Sequence, residues 1–210
     1  GPGALPSDAS MMGIDARDSR RMMEESLDVI VPLLEGETVS AKTDWFTLDK
    51  ARLQHASYTQ PRMEMAVTAV RSPAGALIAG RLGLGILSLG GHSDAALEAY
   101  AKNWEICEET AAAHGRTADR RNFRIAVQMH ISETRDQALK DIDFGVDQLG
   151  GYARDVLPRG PIPKDVTNVA EFVTGTGRAI VGTPEDAIRE IERMQVGSGG
   201  FGVVMFMAHD

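Results

Sequence analysis

Between Met63 and Leu89 an apolar, strand-like run (Met63 to Val70) ends in Arg71-Ser72-Pro73-Ala74-Gly75. The chain then passes into a short helical segment (Ala76 to Leu82), turns at Gly83 and enters a second apolar run. Strand, tight turn, helix and strand in that order bring free backbone N–H groups, a hydroxyl and a guanidinium to one helix N-terminus. An anion there is stabilised by the helix dipole and by charge-assisted hydrogen bonds, so the turn suits a phosphate and reads as half of a cofactor site. The same pattern also fits a plain strand-to-helix turn carrying a surface arginine.

Other residues that could do chemistry fall just after strand-like runs. Ser88 stands at the end of one run and His92 just beyond it, His130 ends another and His209 follows the last. An imidazole at the open end of a sheet can hydrogen-bond a ligand carbonyl or stabilise developing negative charge, although each histidine taken alone also fits a structural or solvent-exposed role. His55 and His114 lie in an irregular segment and at a helix end, away from such positions. No HxH, HExxH or CxxC spacing marks a metal site. No GxSxG follows a strand, since Gly197-Ser198-Gly199 precedes one, and a serine-hydrolase elbow is therefore not expected. Cys107 is the single cysteine, which excludes an intrachain disulfide and reads as a small buried hydrophobe on a helix in a reducing cytoplasm.

The elements that must position these residues alternate regularly from Met63 onward. Strand-like runs at Met63 to Val70, Leu84 to Leu89, Arg124 to Ile131 and Val203 to Met207 are separated by helical patterns at Ala76 to Leu82, Ser93 to His114, Glu133 to Leu157 and Pro184 to Val196. Near-continuous apolar strands alternating with helices predict a parallel sheet covered by helices, either doubly wound or a (β/α)8 barrel. Thr183-Pro184-Glu185-Asp186 supplies an N-cap, a proline at the first helical position and acids in the first turn. Pro158 to Gly177, rich in Pro, Gly and polar residues, reads as an inserted loop or lid. Upstream, Met23, Leu27, Ile30, Val31 and Leu34 fall at helical spacing and stop at Gly36, with Pro32 expected to kink or shorten the helix. Thr38 to Thr59 has the short alternations of a hairpin or irregular excursion, whose Trp45, Phe46 and Tyr58 could line a pocket or an interface. The pairs Met22-Met23, Met63-Met65 and Met205-Met207 read as core packing.

With 210 residues, 43% of them hydrophobic and 25% charged, the chain is expected to be a single globular domain over 1–210. Its net charge of −8 disfavours nucleic acid or an anionic membrane as partner and leaves a small molecule as the expected ligand. No apolar run approaches the roughly 18 residues of a membrane span and no secretory leader is recognisable, so a cytoplasmic setting is expected.

The order of pieces resembles the bacterial luciferase-like flavin-dependent monooxygenases, in the branch that includes limonene and similar monooxygenases. The residues carrying the likeness are GPGALPSDA (Gly1 to Ala9) with Gly13-Ile14-Asp15, the helix RRMMEESLDVIVPLLEGE, the unit AVRSPAGALIAGRLGLGILSLG, the capped VGTPEDAIREIERM, and GGFGVVMFMAH. The resemblance implies a (β/α)8 barrel of which this chain is the incomplete C-terminal half, from the end of the fourth strand to the eighth. Asp8 then follows the fourth strand, Ser88 and His92 the sixth, His130 the seventh and His209 the eighth, placing the three histidines as pocket candidates at one barrel mouth. By the same likeness Arg71, Ser72 and Gly75 hold the flavin phosphate and Ser88 is a further cofactor contact. The implied activity is oxidation of a small apolar substrate with O2 and reduced FMN supplied by a separate flavin reductase, the fragment alone being inactive. Two other readings stay open: a deazaflavin-dependent oxidoreductase of the same superfamily, and a non-catalytic flavin-binding half-barrel that acts only with the missing half or as a homo-oligomer.

Overall fold

A computed structural model of the chain describes residues 1–3, 5–157 and 161–208. Two units are distinguished, Gly1–Met65 and Ala66–Asp210. The first holds helices α1 (Pro6–Met11) and α2 (Ser19–Leu34) and an antiparallel hairpin of β1 (Val39–Lys42) and β2 (Thr47–Ala51). Pro32 lies inside α2, whose last residue, Leu34, follows it by two positions. Gly36 then adopts φ +87°, and Glu37 N–H returns to the Pro32 carbonyl. The expected excursion contains the hairpin. Its turn is tied to α2 by Arg21 on Asp44 at 2.8 Å and by the Trp45 indole N–H donating to Glu25 at 2.6 Å. Trp45 meets Phe46 edge-on at 4.7 Å, whereas Tyr58 is fully exposed.

The second unit runs β3 (Ala66–Thr68), α3 (Ala74–Leu82), β4 (Gly85–Leu89), α4 (Asp94–Ala113), a 3-10 turn (Arg120–Asn122), β5 (Phe123–Ile131), α5 (Arg135–Asp155), α6 (Val169–Gly175), β6 (Ala179–Gly182), α7 (Pro184–Gly197) and β7 (Val203–Met207). All four ladders are parallel. Residues 124–126 of β5 pair with both β4 and β7, so those two strands lie on opposite edges of β5. Gln128 pairs with both Ala179 of β6 and Met207 of β7, which puts β6 on the β4 edge. The sheet order is therefore β3-β4-β5-β7, and β6 takes over the edge of β5 where β4 leaves it. This α/β unit, with a helix between successive strands of a parallel sheet, is a partial (β/α)8 barrel.

All four expected strand runs are strands, the first reduced to Ala66–Thr68 because its described partner, β4, pairs with it only over Gly85–Leu87. Among the helices and strands of the second unit, α6 and β6 were not expected. In the segment read as a loop, Asn168 caps α6 by accepting the Glu171 N–H at 2.9 Å, while Ile162, Val169 and Val173 pack with Ile142 and Val146 of α5. β6 follows directly, all four of its residues buried.

The core centres on β5 and α4, where Trp104 stacks on Phe123 with centroids 5.1 Å apart. Gly80 lets α3 lie against α4, since a Cβ there would stand 2.5 Å from the Cys107 carbonyl oxygen. Cys107 is buried, and burial pushes its thiol up to about 11. The methionine pairs differ from expectation: Met205 and Met207 are 43% and 41% exposed and Met63 is 56% exposed. Among the described residues β7 pairs with β5 alone, which leaves its remaining edge uncovered. No described helix is long and apolar enough to cross a membrane.

Candidate active site

The Arg71–Gly75 turn forms where β3 hands over to α3. Its strand side is held from three directions: Ala69 N–H bonds to the Leu87 carbonyl at 3.0 Å, Ser88 donates to the Ala69 carbonyl at 2.8 Å, and the Asn103 amide donates to the Val70 carbonyl at 3.2 Å. On the helix side the first intrahelical bond is Leu77 N–H to the Pro73 carbonyl, so Ala74, Gly75 and Ala76 start the helix with N–H groups lacking an intrahelical partner. Ser72 and Arg71 are exposed, and the Ser72 hydroxyl accepts only a long 3.4 Å bond from Ala74 N–H. Gly75 is required sterically, because any Cβ there would run into the Thr68 carbonyl. Hydroxyl, guanidinium and helix start thus share one surface turn, which fits a phosphate group in both charge and hydrogen-bonding capacity.

The neighbouring turn, from β4 into α4, is built by close backbone approach. Gly90 and Gly91 have φ +126° and +91°, and a Cβ on Gly91 would collide with the Gly177 carbonyl. That carbonyl accepts the His92 N–H at 2.5 Å, stitching the Thr174–Arg178 segment onto the turn. Tyr100 donates its hydroxyl to the Gly91 carbonyl at 2.9 Å, and burial pushes its pKa up to about 12, so the phenol keeps its proton. The two turns and this segment enclose a hollow of about 50 Å³ lined by Arg71, Gly90, Ser93, Tyr100, Thr176 and Arg178, among others.

The histidines engage different helices. His92 is 4% exposed and lies against α7, its Nδ1 3.0 Å from Arg193 Nη2 and 3.3 Å from Glu190, while its carbonyl accepts from the same guanidinium. Burial lowers its pKa and favours the neutral ring. His130 instead places Nε2 3.1 Å from Asp141 Oδ2 of α5, an oxygen that also accepts the Ser132 hydroxyl at 2.5 Å. The Asp141 carboxyl is held down to about 2, first by Ser132, then by Gln137 and His130. His209 lies outside the described residues. Ser88, expected beside the cofactor, is fully buried with its hydroxyl turned to the Ala69 carbonyl, where it holds the Arg71–Gly75 turn from behind.

A wider polar cleft of about 610 Å³ lies between His92, the Thr174–Gly177 segment and α7. Arg189 and Arg193 there are already paired, with Asp186 at 2.5 Å and with Asp94 at 2.6 Å and Glu190 at 3.0 Å. Among the described residues Arg178 carries no such pairing, and it was not singled out from the sequence. Its signal was a basic residue closing the glycine-rich TGTGR, whose place in the lining of the same hollow as Arg71 depends on the unforeseen β6.

Parallel strands with helices between them, and a turn suited to an anion at a strand's C-terminal end, define a partial (β/α)8 barrel, a fold that builds its sites at that end of the sheet. The luciferase-like monooxygenase family model matches residues 1–200, and the chain belongs to that family. It is 45% identical over 202 residues to limonene 1,2-monooxygenase of Rhodococcus erythropolis, covering 96% of this chain and 52% of the relative. Among solved structures it resembles the oxygenating constituent of 3,6-diketocamphane monooxygenase from Pseudomonas putida in complex with FMN, with a TM-score of 0.69 at 22% identity over 100% of this chain and 63% of that one. It also resembles an F420-dependent secondary alcohol dehydrogenase, with a TM-score of 0.62 at 20% identity over 91% and 56% of the two chains. Both structural likenesses concern the fold. The chain spans about half the length of the curated relatives it matches.

Proposed function

We propose that this chain is the flavin-phosphate-binding part of an oxidoreductase that uses reduced FMN and O2 to oxidise a small apolar substrate, the reduced flavin coming from a separate reductase in the cytoplasm. The observation that carries the reading is the Arg71–Gly75 turn, where an exposed hydroxyl, an exposed guanidinium and the start of α3 meet over a glycine. Family membership and the 45% identity to a limonene monooxygenase support the oxidative chemistry and the apolar substrate.

In this reading Ser72 donates its hydroxyl to the phosphate, Gly75 its N–H and Arg71 its charge, while Ser88 and Asn103 fix the carbonyls behind them. When bound, the reduced flavin supplies the electrons that activate dioxygen. His92 and His130 are pocket candidates, each held by a helix and without an assigned proton-transfer step. The 210-residue chain binds flavin without turnover, which requires the further strands of a complete barrel.

Intact mass measurement with FMN titration of the 210-residue chain, beside Ser72→Ala, tests the proposal. Binding that weakens about tenfold in the variant supports it; equal affinity in the two proteins overturns the assignment of the turn. A second reading, a deazaflavin at the same turn with hydride transfer instead of oxygenation, draws on the likeness to the F420-dependent dehydrogenase. Parallel titration with FMN and a deazaflavin separates the two.

A further inference from the structure

We propose that Arg178 is a second phosphate-binding guanidinium, opposing Arg71 across the small hollow, so that the pair holds a phosphomonoester dianion; this deepens the flavin reading above.

Arg178 is fixed in place before any ligand arrives. Its N–H closes the end of α6 on the Val173 carbonyl at 2.8 Å, and the preceding residue, Gly177, is locked to His92. The guanidinium lies over the Phe172 ring at 5.6 Å, which restricts its plane. Its Nε is buried with no hydrogen-bond partner. A charged donor left unsatisfied in this way is costly unless something fills the position.

Both arginines line the 50 Å³ hollow, and among the described residues neither forms an ion pair. The contrast is local, since Arg189 and Arg193 in the adjoining cleft each have carboxylate partners. Two guanidiniums sharing one hollow repel each other, and a dianion between them removes the repulsion while accepting several N–H bonds at once. Ser93 and the start of α4 line the same hollow and add positive potential. Tyr100 does not compete as an acceptor's partner, because its hydroxyl is committed to Gly91.

The test titrates FMN, riboflavin and inorganic phosphate against the 210-residue chain, Arg178→Gln, Arg178→Lys and Ser72→Ala. The expected result is an FMN affinity reduced at least about tenfold in Arg178→Gln, partly restored in Arg178→Lys, with riboflavin affinity unchanged. Arg178→Gln binding FMN like the parent while Ser72→Ala fails overturns the role of Arg178 and leaves the phosphate turn standing. Equal loss of FMN and riboflavin also overturns it, since the effect then is not on the phosphate. Phosphate binding that depends on Arg178 in a chain that ignores FMN keeps the anion site and removes the flavin reading. A chain that binds neither removes both.

Discussion

The Ser88 hydroxyl donates to the Ala69 carbonyl at 2.8 Å, with both residues buried. One strand thereby braces the exit of its neighbour at the point where the chain turns toward Arg71. Ser88→Ala leaves that carbonyl short of a donor and is expected to cost about 1–3 kcal/mol. Urea unfolding should show a lower midpoint with an unchanged slope.

Two glycine-to-alanine substitutions are expected to have opposite signs. Alanine is the better helix former by about 1 kcal/mol, yet Gly75→Ala drives a Cβ into the Thr68 carbonyl and should lower Tm by several degrees. Gly151 of α5 has open space around its Cβ position, so Gly151→Ala should raise Tm. Thermal unfolding of the two variants beside the parent reads both.

Asp141 predicts the shape of the acid limb. Its folded carboxyl is held to about 2 against an ordinary 3.8, chiefly by the Ser132 hydroxyl. The unfolded chain takes up the proton first on acidification. The stability from Asp141 is therefore complete above about pH 4 and disappears as the pH falls through about 2. In Asp141→Asn, urea midpoints compared between pH 5 and pH 2 should fall less steeply than in the parent.

The start of α7 is closed by a reciprocal pair: Thr183 accepts the Asp186 N–H at 3.3 Å and Asp186 accepts the Thr183 N–H at 3.1 Å. Thr183→Ala should cost about 1 kcal/mol and Thr183→Ser close to nothing. Because α7 also carries Arg193 on the His92 carbonyl, the alanine variant should speed amide exchange around His92. Exchange measured by mass spectrometry checks this.

Where local chemistry decided the structure, the sequence was readable. The TPED start of α7, the Ser93 start of α4, the Gly36 stop of α2 and the apolar runs of β4, β5 and β7 each carry their own signal, and together they define the alternation of the sheet. The Arg71–Gly75 turn was legible for the same reason. β6 and α6 were not: AIVG is a four-residue run beside a helix cap, and VAEFV is a brief apolar stretch among Pro and Gly signals. Tertiary burial against α5 makes both elements. The surroundings of His92 and His130 were equally hidden, since their partners Arg193 and Asp141 are chosen by helix packing, and no spacing in the sequence announces them.

β5 has one edge shared end to end by two strands, with β4 along 123–126 and β6 along 128–131. β6 begins at the residue after Arg178, so the sheet and the hollow that Arg178 lines hold opposite ends of one short covalent span. Peeling β6 from β5 unlatches that arginine, and seating the arginine on an anion resists the peeling. Deuterium uptake at Gln128–Ile131 is therefore a remote gauge of what occupies the hollow, readable without touching any residue that lines it.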